Sequence, residues 1–451
     1  MIQDFFTGLP GEDRMEKPKR KRIVFFVGKV VIFVFPVLFF LGAELVARLF
    51  RLDERISASL SIPEWVDQDR LARKMILSDM ASRPQDLRLF YSAYRWDRYL
   101  FYTMKPNLKI PMVDILQGTW RNDLKWSLDT NERGYRGRAY PVEKPEGVFR
   151  IICMGDSSTY GWGLDTQETY AACLQKLLDK LYGAGKFQVL NFGMPGYTTF
   201  QGYILLQREV MSYQPDVVCL AFGANDDSPV ALTSRERYER ACSWVGTLQE
   251  LFSHSKAYGV LKGLILKTFH KTPEARFEEA GKRAAAGKKV DVPVEEYRDL
   301  LKDMAATLRG TGCDVIFIAQ CLSRRPRSRI HILKQIADEE RIPYLDIYTL
   351  YPSYTRKVEE DPQLSQLLRK YVGIYGEEAL NKNPRLYFLL PDMCHPNALL
   401  NELVAMQLEE IMRERFPGFD SRATYAMPGS RQTSTISFCQ NLRRTCIDGG
   451  I

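Results

Sequence analysis

A serine just past a buried strand and a histidine three residues after a carboxylate are parts from which a nucleophilic site can be built. Ser157 follows the apolar run Phe149-Arg150-Ile151-Ile152-Cys153 within Gly155-Asp156-Ser157-Ser158-Thr159. Its hydroxyl is expected at the sheet edge, beside free backbone N–H groups at the start of the next segment. A serine nucleophile needs a base, and the base needs an acceptor to orient it. The chain has four histidines, and only His395 has a carboxylate, Asp392, three residues away in a turn-like segment, Asp392-Met393-Cys394-His395-Pro396-Asn397. His254, His270 and His331 sit in charged or insertion segments and read as structural or solvated.

Two further turns carry polar groups. Gly196 closes Asn191-Phe192-Gly193-Met194-Pro195-Gly196 and can bring a backbone N–H close to a ligand. Asn225, in Gly223-Ala224-Asn225-Asp226, can aim an amide into the same crevice. Each segment alone is an ordinary turn or cap; the combination is what points to chemistry. The pattern is not the G-x-S-x-G elbow. Ser158 is a rival nucleophile, one position further from the strand, and Asp156 and Asp226 read as loop braces. A metal phosphoesterase built from Asp156, Asp226, Asp227, Asp392, Cys394 and His395 is a competing reading, but only one histidine is present in the cluster. A non-catalytic binding protein is another.

The elements that must position these residues follow from the apolar pattern. Continuous apolar runs at Phe149–Cys153, Val189-Leu190, Val217–Phe222, Val315–Ala319 and Tyr344–Ile347 alternate with amphipathic stretches. The helical stretches include Tyr170–Leu181, Thr198–Tyr213, Val294–Leu308, Ser328–Glu340 and Asn397–Arg415. Strands buried on both faces and separated by helices predict an α/β fold, a three-layer sandwich around a five-stranded parallel sheet. Ligands in such folds bind outside the carboxyl ends of the strands, where the candidate turns fall.

The formal net charge is +8, and part of it is concentrated in Arg14, Lys17, Lys19, Arg20, Lys21 and Arg22. These precede Ile23–Ala43, whose only charge is Lys29. At about 1.5 Å per residue this stretch matches a hydrocarbon core of about 30 Å. A transmembrane helix over 23–43 is expected, with the basic tail 1–22 cytoplasmic and the rest outside. A cleaved signal peptide is the competing reading. Residues 44–147 read as a membrane-proximal segment, 148–416 as the catalytic domain and 417–451 as a polar tail. An insertion over 227–292 carries helix-like apolar spacing and is either a lid, a membrane-facing helix or a packed subdomain. No nucleic-acid motif or zinc-finger spacing is present, so the basic charge is read as a topology signal. Of the nine cysteines, Cys153, Cys219 and Cys321 read as buried hydrophobes, and Cys439 and Cys446 could pair in an oxidising compartment.

The four blocks GDSS at 155–158, the glycine turn ending at Gly196, GAND at 223–226 and DMCHPN at 392–397 resemble those of the SGNH hydrolases, also called GDSL esterases. The likeness extends over roughly 148–416. It implies a flavodoxin-like sheet, Ser157 as nucleophile, His395 as base and Asp392 as its orienter. It also implies an oxyanion hole of the Ser157 and Gly196 N–H groups and the Asn225 amide, with no metal or cofactor. The expected substrate is an ester on a glycan, lipid or small molecule, cleaved through an acyl-enzyme. Transfer of the acyl group to a sugar hydroxyl is the alternative. The anchored arrangement looks like that of bacterial relatives working outside the cytoplasmic membrane.

Overall fold

A computed structural model describes residues 34–59, 93–112, 126–230, 232–269, 289–320, 328–416 and 419. The described residues divide into two compact units, one within 67–243 and 273–451, the other within 1–66 and 244–272.

The larger unit is built on a five-stranded sheet in which all strand pairs are parallel. Its strands are β5 (Phe149–Gly155), β6 (Phe187–Gly193), β7 (Val217–Ala221), β10 (Asp314–Ala319) and β11 (Tyr344–Asp346), in the spatial order β6-β5-β7-β10-β11. Counted within the sheet this is 2-1-3-4-5, the flavodoxin-like order, whose switch point lies between the first and third strands. β5, β6 and β7 are buried almost throughout, in keeping with their mostly apolar residues; Arg150 in β5 and Gln188 in β6 are hydrogen-bonded to each other. The second strand is longer than the Val189-Leu190 pair its apolar residues mark, because Asn191 and Gly193 continue the ladder.

Four antiparallel strands precede the sheet in two pairs. β1 (Tyr94–Asp97) pairs with β2 (Phe101–Met104), and β3 (Lys109–Met112) with β4 (Trp126–Asp129). Two short strands, β8 (Pro229–Val230) and β9 (Lys289–Val290), pair at the two ends of the insertion.

Helices cover both faces of the sheet. One layer holds α4 (Tyr170–Tyr182), α11 (Ile347–Glu360), α12 (Pro362–Tyr375) and α14 (Ala398–Arg415). The other holds α5 (Thr199–Arg208), α9 (Val294–Gly310) and α10 (Ser328–Glu340). Short α3 (Ser157–Tyr160) follows β5, α6 (Ser234–Cys242) lies in the insertion, and α13 (Glu377–Lys382) follows α12. α4 starts at an N-cap, Thr169, whose side chain accepts from the Ala172 N–H, and stops at Gly183, with φ 94°. Tyr170, Leu174 and Leu178 form its buried stripe. Burial of each such leucine contributes about 1.5–3 kcal/mol. Leu181, in the last turn where the helix leaves the core, is 48% exposed. The expected helix over Thr198–Tyr213 ends at Arg208 and gives way to a tighter 3₁₀ turn, Val210–Tyr213.

The smaller unit contains a helix over 34–49 (α1), α2 (Leu52–Ser59), α7 (Trp244–Ser253) and α8 (Lys256–Phe269). A turn with Arg51 at φ 48° separates α1 from α2. Of the expected membrane helix over 23–43, residues 23–33 lie outside the described residues. Among the described residues no helix is long and apolar enough to cross a membrane. The tail at 417–451 lies outside them as well, except for Phe419, which is buried against Phe149, Tyr182 and Phe187.

Candidate active site

The register of the sheet aligns the ends of the three strands that carry the candidate turns. Gly155 of β5 stands opposite Gly193 of β6 and Ala221 of β7. The chain leaves all three at one edge, astride the switch point. There α3 closes immediately over the strand ends. A Cβ on Gly193 would lie 2.2 Å from the Tyr160 N, and one on Gly155 would lie 2.7 Å from the Ala221 carbonyl oxygen. Glycine at these two positions is what lets the Ser157 turn sit on the sheet.

Ser157 is the first residue of α3. Asp156 caps it, its Oδ1 accepting from the Ser158 N–H at 2.9 Å. The Ser157 carbonyl accepts from the N–H groups of Gly161 and Trp162 at 3.0 and 2.9 Å. Thr159 anchors the turn below: its carbonyl accepts from Asn191 Nδ2, and its hydroxyl oxygen accepts from Gln320 Nε2 and from the Tyr170 hydroxyl. These bonds orient Ser157 outward and Ser158 inward. Ser158 is 1% exposed, and its hydroxyl has no partner among the described residues. The geometry therefore separates the two rival serines.

The carboxylate–histidine segment is equally constrained. Leu390 N–H donates to the His395 carbonyl at 2.8 Å, Asn397 N–H to the Phe388 carbonyl at 3.0 Å, and Asn397 Nδ2 to the Tyr387 carbonyl at 3.0 Å. Asn397 then caps α14, its side chain accepting from the Leu400 N–H. Within this loop, Asp392 Oδ1 accepts from the N–H groups of Cys394 and His395, both at 3.0 Å. Asp392 Oδ2 is hydrogen-bonded to His395 Nδ1. His395 Nε2 lies 2.7 Å from Ser157 Oγ. Enclosure alone would raise the Asp392 pKa, but His395 and the two backbone donors outweigh it and hold the carboxyl below its ordinary 3.8. Trp162 flanks the imidazole, with ring centroids 6.4 Å apart.

Gly196 adopts φ 83° at the end of its turn, and neither its N–H nor that of Ser157 has an acceptor among the described residues. The β1–β2 hairpin, unrecognised in the sequence, braces this turn. Tyr102 donates its hydroxyl to the Pro195 carbonyl at 2.8 Å, and Tyr197 donates to the Tyr102 carbonyl at 2.7 Å. Asn225 reaches the same place, but its amide is already engaged. Nδ2 donates to the Tyr197 carbonyl at 3.0 Å and to Asp156 Oδ2 at 3.3 Å. The structure thus brings Ser157, Gly196, Asn225, Asp392 and His395 into one cluster.

Behind Asn225 lies a buried polar network. Asp226 accepts from the Thr199 N–H and hydroxyl, and Arg329 Nη1 sits 3.8 Å from it. Arg329 also donates to Asp227 and to the Val292 carbonyl. Burial pushes the Asp226 pKa up to about 6 despite the guanidinium. An Arg329→Met variant is expected to lose about 3–5 kcal/mol, because it strands a buried carboxylate. Without the guanidinium the Asp226 pKa rises further, so the loss is full only above that higher value and shrinks as pH falls toward ~6, below which both proteins carry the proton. Urea unfolding of parent and variant from pH ~6 upward checks both the size and the sign.

The metal-cluster alternative finds its members otherwise engaged: Asp226 and Asp227 with Arg329, Asp392 with His395, and Cys394 in a disulfide. Among the described residues no three His, Cys, Asp or Glu side chains gather as metal ligands. The Cys394 disulfide had no sequence signal, since no CxxC pair marks it. Arg329 had none either, being one charge among several on a helix.

A model of the GDSL-like lipase/acylhydrolase family matches residues 153–402. An acetylxylan esterase of Xylanibacter ruminicola is 31% identical over 98 residues, a match covering 20% of each chain. The match thus spans about a fifth of that curated relative's length. A lipase/acylhydrolase from Enterococcus faecalis is similar at 17% identity, over 59% of this chain and 97% of that one, with a TM-score of 0.33. The acetylxylan esterase of Geobacillus stearothermophilus is similar at 16% identity, over 59% and 93% of the two chains, with a TM-score of 0.32.

Proposed function

We propose that this chain, which belongs to the GDSL-like lipase/acylhydrolase family, cleaves carboxylic esters through an acyl-enzyme on Ser157. The observation that carries the reading is the 2.7 Å approach of His395 Nε2 to Ser157 Oγ, with Asp392 on the opposite ring nitrogen. Asp392 fixes the tautomer that leaves Nε2 free to accept a proton. Ser157 Oγ attacks the ester carbonyl as His395 takes its proton. The oxyanion forms against the Ser157 and Gly196 N–H groups. The Asn225 amide joins them by giving up its longer bond, the one to Asp156. Each such donor lowers the barrier by about 3 kcal/mol. His395 then protonates the departing alcohol. A water deprotonated by His395 attacks the acyl group, releasing the acid and restoring the serine.

The substrate class we favour is an acetyl or short acyl ester on a glycan, supported by the likeness over 98 residues to an acetylxylan esterase. A sugar hydroxyl could take the place of water in the second half. The test supplies purified protein with an aryl acetate, with and without a glycan acceptor. Free acetate forming faster than acetyl-sugar is the expected result; the reverse makes the protein a transferase.

We read the site as lying outside the cytoplasmic membrane; the apolar stretch 23–43 and its basic flank support this. Support comes from Cys394 being disulfide-bonded, a state that persists in oxidising compartments. Cys394→Ser is expected to lower stability by about 2–4 kcal/mol. Thermal unfolding with and without a thiol reductant checks this, because reduction is expected to bring the parent to the level of the variant. An alkaline phosphatase reporter fused to the carboxyl end should be active in cells; an inactive fusion contradicts the placement.

A further inference from the structure

We infer that the helical half of the insertion, α7 and α8, is a second membrane contact that lies in the headgroup layer of a bilayer. The inference rests on the reading that residues 23–43 cross that bilayer.

Glu44 is the residue immediately after the predicted span, and it grips the start of α8. Its carboxylate accepts from the N–H groups of Lys256 and Ala257 at 3.1 and 2.9 Å and from the Ser255 hydroxyl at 2.8 Å. Burial opposes this, but those donors together with Arg48 hold its pKa at about 2. The carboxylate thus does for α8 what an N-cap does, from a different helix. Lys256 pairs with Asp53 on α2, and Arg48 donates to the His254 carbonyl. Packed this way, the insertion helices are tied to the chain at the level where the predicted span ends.

The two helices leave an apolar stripe open. On α7 it is Trp244, Leu248, Leu251 and Phe252, at spacings of four, seven and eight; Trp244 is 74% and Leu251 66% exposed. On α8 it is Leu261, Leu264 and Ile265. The glycine on the opposite side of each helix, Gly246 or Gly263, is buried. A helix pair with a small residue facing inward and large apolar residues facing outward is inverted relative to a soluble hairpin. Lys262 borders the stripe one residue after Leu261, while Lys256 is turned to Asp53 of α2. Apolar residues including a tryptophan, held by Glu44 at the level where the predicted span ends, fit the interfacial layer of a bilayer.

The test is made on the full chain in vesicles of phosphatidylcholine with a minority of phosphatidylglycerol. A photoreactive benzophenone amino acid is placed singly at Leu251, Leu264, Phe39 and Gln249. Phe39 reports on the span, and Gln249 is the polar-side control. Lipid adducts several-fold more abundant at 251 and 264 than at 249, alongside adducts at 39, are the expected result. Adducts at 39 with none at 251 and 264, or protein–protein cross-links there instead, overturn the inference while leaving the span intact. Absence of lipid adducts at 39 removes the span, and the inference falls with it.

Discussion

Replacing His395 with alanine is expected to lower kcat on an aryl acetate by about 10⁵-fold or more, with little change in the folding midpoint. The size follows from the unit character of the site: without an acceptor at 2.7 Å, Ser157 Oγ keeps its proton and remains a weak nucleophile. Knocking out one member of such a unit costs nearly as much as removing all of it. The residual rate is expected from the proposed oxyanion donors, which the variant leaves in place. The fold is spared because the loop is held by backbone bonds. Leu390 N–H still meets the carbonyl of residue 395, and Asp392 Oδ1 still accepts from two main-chain N–H groups. Steady-state kinetics and urea unfolding on the same preparation check both halves. A variant that unfolds, or one that retains a tenth of the activity, contradicts the assignment.

Asp392→Asn is expected to cost about 10⁴ in kcat, by analogy with the same change in other serine triads. The asparagine oxygen can keep the N–H bonds of Cys394 and His395. Its amide nitrogen then faces Nδ1 and donates, so the ring proton moves to Nε2, the atom that must accept from Ser157. The change also alters the pH dependence of stability. The native pKa of Asp392 is depressed below 3.8, so its contribution to stability is fully present above that value and is lost as pH falls through the native one. The parent's stability advantage over Asp392→Asn is expected to be constant above pH ~5 and to shrink at lower pH. Denaturant midpoints measured down the acid range check the direction.

The core of the fold was legible because its signal is local. Strands buried on both faces must be apolar throughout, so β5, β7 and β10 stand out in the sequence. The positions of Ser157, Gly196 and Asn225 at strand ends then place them together without any long-range knowledge. The His395 loop was legible for a different reason, the scarcity of histidine and the three-residue spacing to Asp392.

What was not legible depends on distance along the chain. Arg329 supports the Asn225 loop from about a hundred residues away, and no periodicity marks it. The β1–β2 hairpin that braces Gly196 mixes Arg95 and Asp97 with aromatics, so its alternation is blurred. The apolar spacing of the insertion identified helices but not which face is left open, because that is settled by Glu44 of a distant segment. Asn225 follows the end of β7 that its apolar run marks, yet its engagement with Tyr197 and Asp156 is a tertiary fact.

The most direct test of the central claim is to react the purified protein with a fluorophosphonate and map the adduct by peptide mass spectrometry. A single stoichiometric adduct on Ser157, lost in Ser157→Ala and strongly slowed in His395→Ala, is the predicted result. An adduct on Ser158 or elsewhere, or labelling that survives in Ser157→Ala, would contradict the account.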